Sequence, residues 1–177
     1  MSVTLTTTES GPGIRWRTLR PWLGTVVRLG LAAVWLYAGA SKVGDLAASG
    51  RAVHAYQLMP YEVAKVVGAA LPFVELGLGV LLLLGVATRL SAVVSTLLLV
   101  AFIVGIVSAW ARDLAIDCGC FGTGGELPPG ESPSYWLDLL RDLGFLLLAG
   151  FLVIWPVTRI SIDEWLASAP EAEEGDE

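Results

Sequence analysis

Apolar residues fall in four long runs separated by polar or glycine- and proline-rich segments. They are "WLGTVVRLGLAAVWLYAGAS" (22–41), "VVGAALPFVELGLGVLLLLGVA" (66–87), "LSAVVSTLLLVAFIVGIVSAWA" (90–111) and "LDLLRDLGFLLLAGFLVIWPV" (137–157). At ~1.5 Å per residue, about 20 residues of helix cross ~30 Å of hydrocarbon, so each run is predicted to span a membrane. The fourth departs from the pattern because Asp138, Arg141 and Asp142 occupy its first turns. Those turns belong in the headgroup layer or in a protein-lined cavity. The predicted fold class is an all-α integral membrane protein, a bundle of four transmembrane helices with a Cys-Gly-Cys loop between helices 3 and 4. A membrane domain over 21–158 lies between an N-terminal arm (1–20) and an acidic tail (159–177). "PEAEEGDE" at the end of the tail reads as solvated and disordered.

Composition agrees with the pattern. Of 177 residues 55% are hydrophobic and 16% charged, against about a quarter charged in soluble domains, and mean hydropathy is +0.69. The net charge is -6, and nothing basic enough to suggest a nucleic-acid partner appears. The first run follows the basic "RWRTLR", but its length and its internal Arg28 make it a retained span rather than a cleaved signal peptide.

Four spans put both termini on one side. With Arg15, Arg17 and Arg20 before the first span, Arg89 in the tight second connection and Arg159 after the fourth, that side reads as cytoplasmic. The opposing side holds Lys42, Arg51, Lys65, Arg112 and Arg141, so the bias is small. Trp22 and Trp155 mark one interface; Trp110, Tyr135 and Trp136 mark the other. Of the two outer loops, 42–65 predicts one short interfacial helix ended by Pro60. The other, 112–136, is rich in glycine and proline, which makes regular structure unexpected there.

That second loop holds both cysteines, Cys118 and Cys120, in "DCGCFG". Three chemistries fit. Cysteines two apart across a glycine can close a small, readily reduced disulfide. Two thiolates can bind copper(I) or zinc, although zinc wants four ligands and only His54 and nearby carboxylates are at hand. Both can be inert thiols. An outward loop meets an oxidising space, which favours the exchanging pair. Asp117 beside Cys118 works against a very acidic thiol.

Glu75 lies about ten residues into the second span, where a carboxylate is a functional candidate by default. It can pair with Arg28, stay neutral, or handle protons for a bound quinone. Pro72, one turn earlier, frees a backbone carbonyl and could open a small cavity. Lys42 either snorkels to the interface or anchors an anionic group or the loop near the thiols. His54 reads as a surface residue, Trp35 and Tyr37 as lipid-facing or bundle-packing, and the "GLGVLLLLG" glycines as allowing close helix approach.

"YAGASK" ending the first span, "LPFVELGLGVLLLLG" in the second and "CGCFG" before the fourth resemble the MauE/DoxX group of bacterial membrane proteins. Gly39, Lys42, Pro72, Glu75, Cys118, Gly119, Cys120, Phe121 and Gly122 match that pattern, and Arg141 and Asp142 are similar to it. The resemblance covers about residues 20–157. It implies a four-helix membrane bundle acting in disulfide or redox chemistry outside the cytoplasm with a thioredoxin-like partner, and for its methylamine-utilisation members support of a disulfide-rich dehydrogenase subunit. The layout is similar to vitamin K epoxide reductase, but this chain lacks that enzyme's Cys-X-X-Cys and second cysteine pair.

The expectation is therefore a multi-pass protein of the bacterial inner membrane. Cys118 and Cys120 exchange disulfides, and a quinone binds near Glu75, Lys42 and Arg28; no metal is assigned. The alternatives are a non-enzymatic anchor or assembly subunit for a redox or metalloprotein, and a copper-handling protein.

Overall fold

The computed structural model describes residues 12–119, 124–128, 131–159, 161–163 and 165. Cys120, Phe121, Gly122 and the acidic tail from 166 lie outside the described residues. Five α-helices and two short strands run in the order α1 (Pro12–Val43), α2 (Leu46–Ala55), α3 (Tyr61–Leu84), α4 (Thr88–Ala111), β1 (Ile116–Asp117), β2 (Gly125–Glu126) and α5 (Tyr135–Ile154). Three of the described helices are long and apolar enough to cross a membrane: Leu19–Val43 within α1, α3 and α4. Their outward faces are greasy: Val66, Phe73, Leu97 and Val104 are all more than half exposed. Such faces are stable only against lipid or a partner.

The helices alternate in direction between two ends. α1 packs mainly on α3, and α4 on α5. At one end the tight α3–α4 turn meets the start of α1 and the segment after α5. Thr25 donates through Oγ1 to the Arg159 carbonyl at 2.9 Å. Arg20 lies 4.9 Å over the Trp155 ring, and Arg159 lies 6.0 Å over Trp22. At the other end sit α2 and the β1–β2 segment.

Each element follows from local chemistry. Asp45 caps α2 by accepting the Ala48 amide N–H at 2.8 Å. Gly85 closes α3 with φ of 67°, and its N–H bonds back to Leu81 and Leu82. Arg28 reaches from α1 to the same helix end, donating to the Leu82 carbonyl at 2.8 Å and Leu83 at 3.3 Å. Asp163 serves the other side of that turn, accepting the amide N–H groups of Ala87 and Thr88 at 2.9 and 3.0 Å. These two side chains satisfy backbone groups a helical hairpin otherwise leaves orphaned.

The core joins Leu31 and Trp35 of α1, Leu78 and Leu82 of α3, Leu99 of α4 and Leu152 of α5. Trp35 is buried, and its indole donates to Ser95 Oγ at 2.9 Å; Tyr37 faces outward. A Cβ on Gly79 would stand 2.9 Å from the Leu36 backbone nitrogen, so this glycine sets the close α1–α3 approach.

Several expectations change. Helix α1 begins at Pro12, inside the segment read as an arm. Pro60 does not end α2, which stops at Ala55; it stands at the N-cap of α3. Pro fits there because a helix start has no use for its missing N–H. Helix α2 is not merely interfacial: Ser49, Gly50 and Ala52 are buried, and α2 packs on α3. The cysteine loop is not wholly irregular either, because β1 and β2 form an antiparallel pair with Ile116 opposite Glu126 and Asp117 opposite Gly125.

Candidate functional site

The end of the molecule formed by α2, β1–β2 and the start of α5 collects the charged and sulfur-bearing residues. Cys118 follows β1 directly and is buried. It is disulfide-bonded, and Cys120 is the chain's other cysteine. Gly119 adopts φ of 65°, and a Cβ there would press on the Gly124 Cα at 3.1 Å. A side-chain-bearing residue at 119 would both strain the backbone and push the loop open.

Two groups from outside the loop hold Cys118. Arg141, nearly two turns into α5, donates to its Sγ at 3.6 Å. The Tyr56 hydroxyl donates to its carbonyl oxygen at 2.9 Å. Burial, and after it the nearby carboxylates Asp138, Asp142 and Asp117 with Tyr135, push the Tyr56 phenol well above its ordinary value, so it remains a donor at every physiological pH. Arg112 fixes Tyr56 by donating to its carbonyl oxygen. Below, Tyr135 donates to the Leu114 carbonyl and stacks on Trp110 at 6.3 Å between ring centres.

Arg141 is also the hub of an ion-pair group within α5, with Asp138 Oδ1 and Asp142 Oδ1 each at 3.0 Å. Asp142 is buried. Deeper in the bundle, Lys42 of α1 pairs with Glu75 of α3 at 2.7 Å, their side chains 5% and 0% exposed. So complete a removal of two charges from water is costly and does not by itself argue for stability.

This arrangement revises the reading of the sequence. The partner of Glu75 is Lys42, not Arg28. Arg28 lies about two helical turns further along α3, against the carbonyls of Leu82 and Leu83. It belongs to the opposite end and does not join Glu75 and Lys42. The charged turns of α5 turn inward onto protein, the second of the two placements open to them. Pro72 does not line the cavity beside Glu75: its carbonyl oxygen lies 2.7 Å from where a Cβ on Gly39 would stand, at the α1–α3 contact. His54 is exposed and meets the Tyr61 ring edge-on at 5.2 Å. Among the described residues, no group of three or more His, Cys, Asp or Glu is placed to hold a metal. The role of Tyr56 was not legible in the sequence. Arg141 and Asp142 were signalled only by charges placed where an apolar span should begin.

A cleft of about 250 Å³ opens between α2, α3 and α4. Its wall is mostly apolar, with Val67, Leu71, Leu98 and Phe102, and Lys42, Tyr56 and Cys118 also line it.

The family model described as "Methylamine utilisation protein MauE" matches residues 20–155, a stretch that holds every element of this site. The chain belongs to the MauE family. It is 36% identical over 104 residues to the methylamine utilization protein MauE of Methylorubrum extorquens, an alignment covering 58% of this chain and 53% of that relative. The chain thus spans about half the length of the curated MauE relative it matches. No solved structure matches it.

Proposed function

We propose that this MauE-family protein is a membrane component of extracytoplasmic thiol–disulfide chemistry, in which Cys118 and Cys120 form one exchanging disulfide. The observation that carries the reading is the disulfide-bonded Cys118 with a guanidinium 3.6 Å from its sulfur. A cation at that distance stabilises the thiolate formed when the disulfide opens and makes Cys118 a good leaving group. The Cys118–Cys120 ring closes almost no chain, so it adds little as a structural staple. The redox partner is a thioredoxin-like protein on the side of the thiol loop. By the name of its relative, the process served is methylamine utilisation.

In this reading α5 is the fourth span. Its first turns are charged, but those charges are absorbed by Cys118 and by one another, and the rest of the helix is apolar. The thiol end then faces away from the cytoplasm, and both termini lie inside a bacterial inner membrane. Burial sharpens the charge bias in favour of this orientation. Lys42 and Arg141 are occupied within the protein, which leaves Arg51, Lys65 and Arg112 on the thiol side.

The cleft between α2, α3 and α4 is the place in which a membrane quinone would accept electrons from the thiols. Its apolar wall fits a ring, and its volume lies just below the usual range for small-ligand sites. Lys42 spends one of three ammonium protons on Glu75 Oε1, which leaves donors for a ligand carbonyl. Bound there, a quinone supplies a two-electron acceptor. The chain's own residues exclude water, hold Cys118 in place and donate to that ligand.

Labelling of intact cells with a membrane-impermeant maleimide tests the reading. Labelling of Cys118 and Cys120 only after mild reduction is the expected result. Labelling without reduction, or only in broken cells, would overturn it. Cys118→Ser and Cys120→Ser should each abolish oxidation of a thioredoxin-like partner and leave membrane insertion intact. An anchor subunit would tolerate both substitutions.

A further inference from the structure

A second, smaller cavity lies beneath the thiol site. It measures about 20 Å³ and is walled by Leu31, Trp35, Leu99, Phe102 and Phe145, with Glu75 on one side and Asp142 on another. That is room for one water. Glu75 Oε2 is buried and has no hydrogen-bond partner, while Oε1 is taken by Lys42. The Trp35 indole is committed to Ser95. Two of the residues around the cavity carry carboxylates, Glu75 on α3 and Asp142 on α5.

The charges around this cavity do not balance. Among the described residues, Glu75, Asp138 and Asp142 stand against Lys42 and Arg141, which leaves one negative charge in excess. Lys42 comes from α1, and α4 contributes only Leu99 and Phe102 to the wall. Tyr56 stays neutral, and Asp117 is exposed beside Cys118. Opening the Cys118 disulfide places a further negative charge 3.6 Å from Arg141, the same guanidinium that Asp138 and Asp142 share.

We propose that Glu75 and Asp142, bridged by one water, form a buried proton-uptake site that is loaded when the Cys118 disulfide is reduced. The inference rests on the thiol–disulfide reading. Reduction by a dithiol breaks the S–S bond, and two electrons pass to the cysteines as the dithiol closes to its own disulfide. Two protons leave the dithiol. One ends on the second cysteine sulfur. The other ends on the Glu75–Asp142 pair, because Arg141 turns from Asp142 toward the Cys118 thiolate and that sulfur stays deprotonated. Glu75 and Asp142 act only as the proton acceptor in this scheme; they never touch the partner.

The test is redox-difference infrared spectroscopy on the full chain in lipid nanodiscs. A water-soluble phosphine serves as reductant. It takes up oxygen from water as it delivers two electrons, so no protein partner is needed. The expected result is a carboxylic-acid carbonyl band that appears on reduction. It shifts on deuteration, is lost in Glu75→Gln or Asp142→Asn, and returns in Asp142→Glu. A new S–H band for Cys118, read in a Cys118-isotope-labelled sample, with no carboxylic-acid band overturns the proposal. So does a carboxylic-acid band unchanged in both isosteric variants. Failure of partner thiols to exchange, measured separately, sinks the thiol–disulfide reading and leaves the infrared result standing on its own.

Discussion

Replacing Arg141 with Gln removes the guanidinium that touches the Cys118 sulfur. At 3.6 Å, two unit charges interact by about 4–5 kcal/mol at an effective dielectric of ~20. Asp138 and Asp142 share the guanidinium, and its side chain is 28% exposed, so a third to a half of that is a fair allowance for a thiolate. The remainder, about 1.5–2.5 kcal/mol, lowers thiolate formation by about one to two pH units. Thiolate at pH 7 then falls roughly 10–100-fold, while each remaining thiolate becomes about threefold more nucleophilic per unit. Alkylation of Cys118 should slow about 3–15-fold. The assay is the pH profile of iodoacetamide labelling of reduced protein in a Cys120→Ser background, so that Cys118 alone reports. Arg141→Lys, which keeps a charge without the fork, should fall between the two. The Arg141→Gln change leaves Asp138 and Asp142 without their cation, so monodispersity in detergent must be checked, and Asp138→Asn added if it fails. An alkylation profile that Arg141→Gln leaves unmoved in folded protein would refute the idea that this guanidinium sets the thiol's reactivity.

Three further outcomes follow from the packing. In Asp163, desolvation opposes ionisation, but the Thr88 and Ala87 amides and the Arg28 charge outweigh it and hold the carboxyl below its usual range. Its contribution is therefore complete above the ordinary carboxylate range and lost as pH falls through the lowered folded value. Asp163→Asn should cost about 0.5–1 kcal/mol at neutral pH and nothing at strongly acid pH, seen as earlier proteolysis of the C-terminal segment. Gly68→Ala would set a Cβ 2.5 Å from the Ser49 carbonyl oxygen and 2.6 Å from the Gly50 Cα. It should cost about 1–3 kcal/mol in thermal unfolding and lift α2 from α3; an unchanged melting midpoint would contradict that contact. Trp35→Phe strands the buried Ser95 hydroxyl and should cost about 1–3 kcal/mol, most of it recovered by adding Ser95→Ala.

Three of the four runs are helices long and apolar enough to cross a membrane, and they were readable because lipid imposes one rule on every exposed position and long apolar runs record it directly. Boundaries moved where backbone chemistry decides: Pro60 opens α3, and α1 extends back to Pro12. The candidate residues Cys118, Glu75 and Lys42 stood out because thiols and charges are rare in such a chain. Arg28 stood out for the same reason, yet its work is to receive the end of a helix. A buried charge marks that something must be satisfied, not what satisfies it.

Composition and periodicity by themselves determined that this chain is helical, is built for a membrane and carries its only two thiols in one loop. Those properties are sums over residues, or spacings between near neighbours, and need no partner to be defined. Tertiary structure alone decided the pairing of Lys42 with Glu75, the approach of Arg141 to Cys118, and the cavity that Glu75 and Asp142 share. Each joins residues far apart in the chain, on helices whose relative rotation and depth depend on contacts such as Gly79 against Leu36. A change of about 100° in one helix's facing would send the same charged side chain to lipid, to water or to another partner.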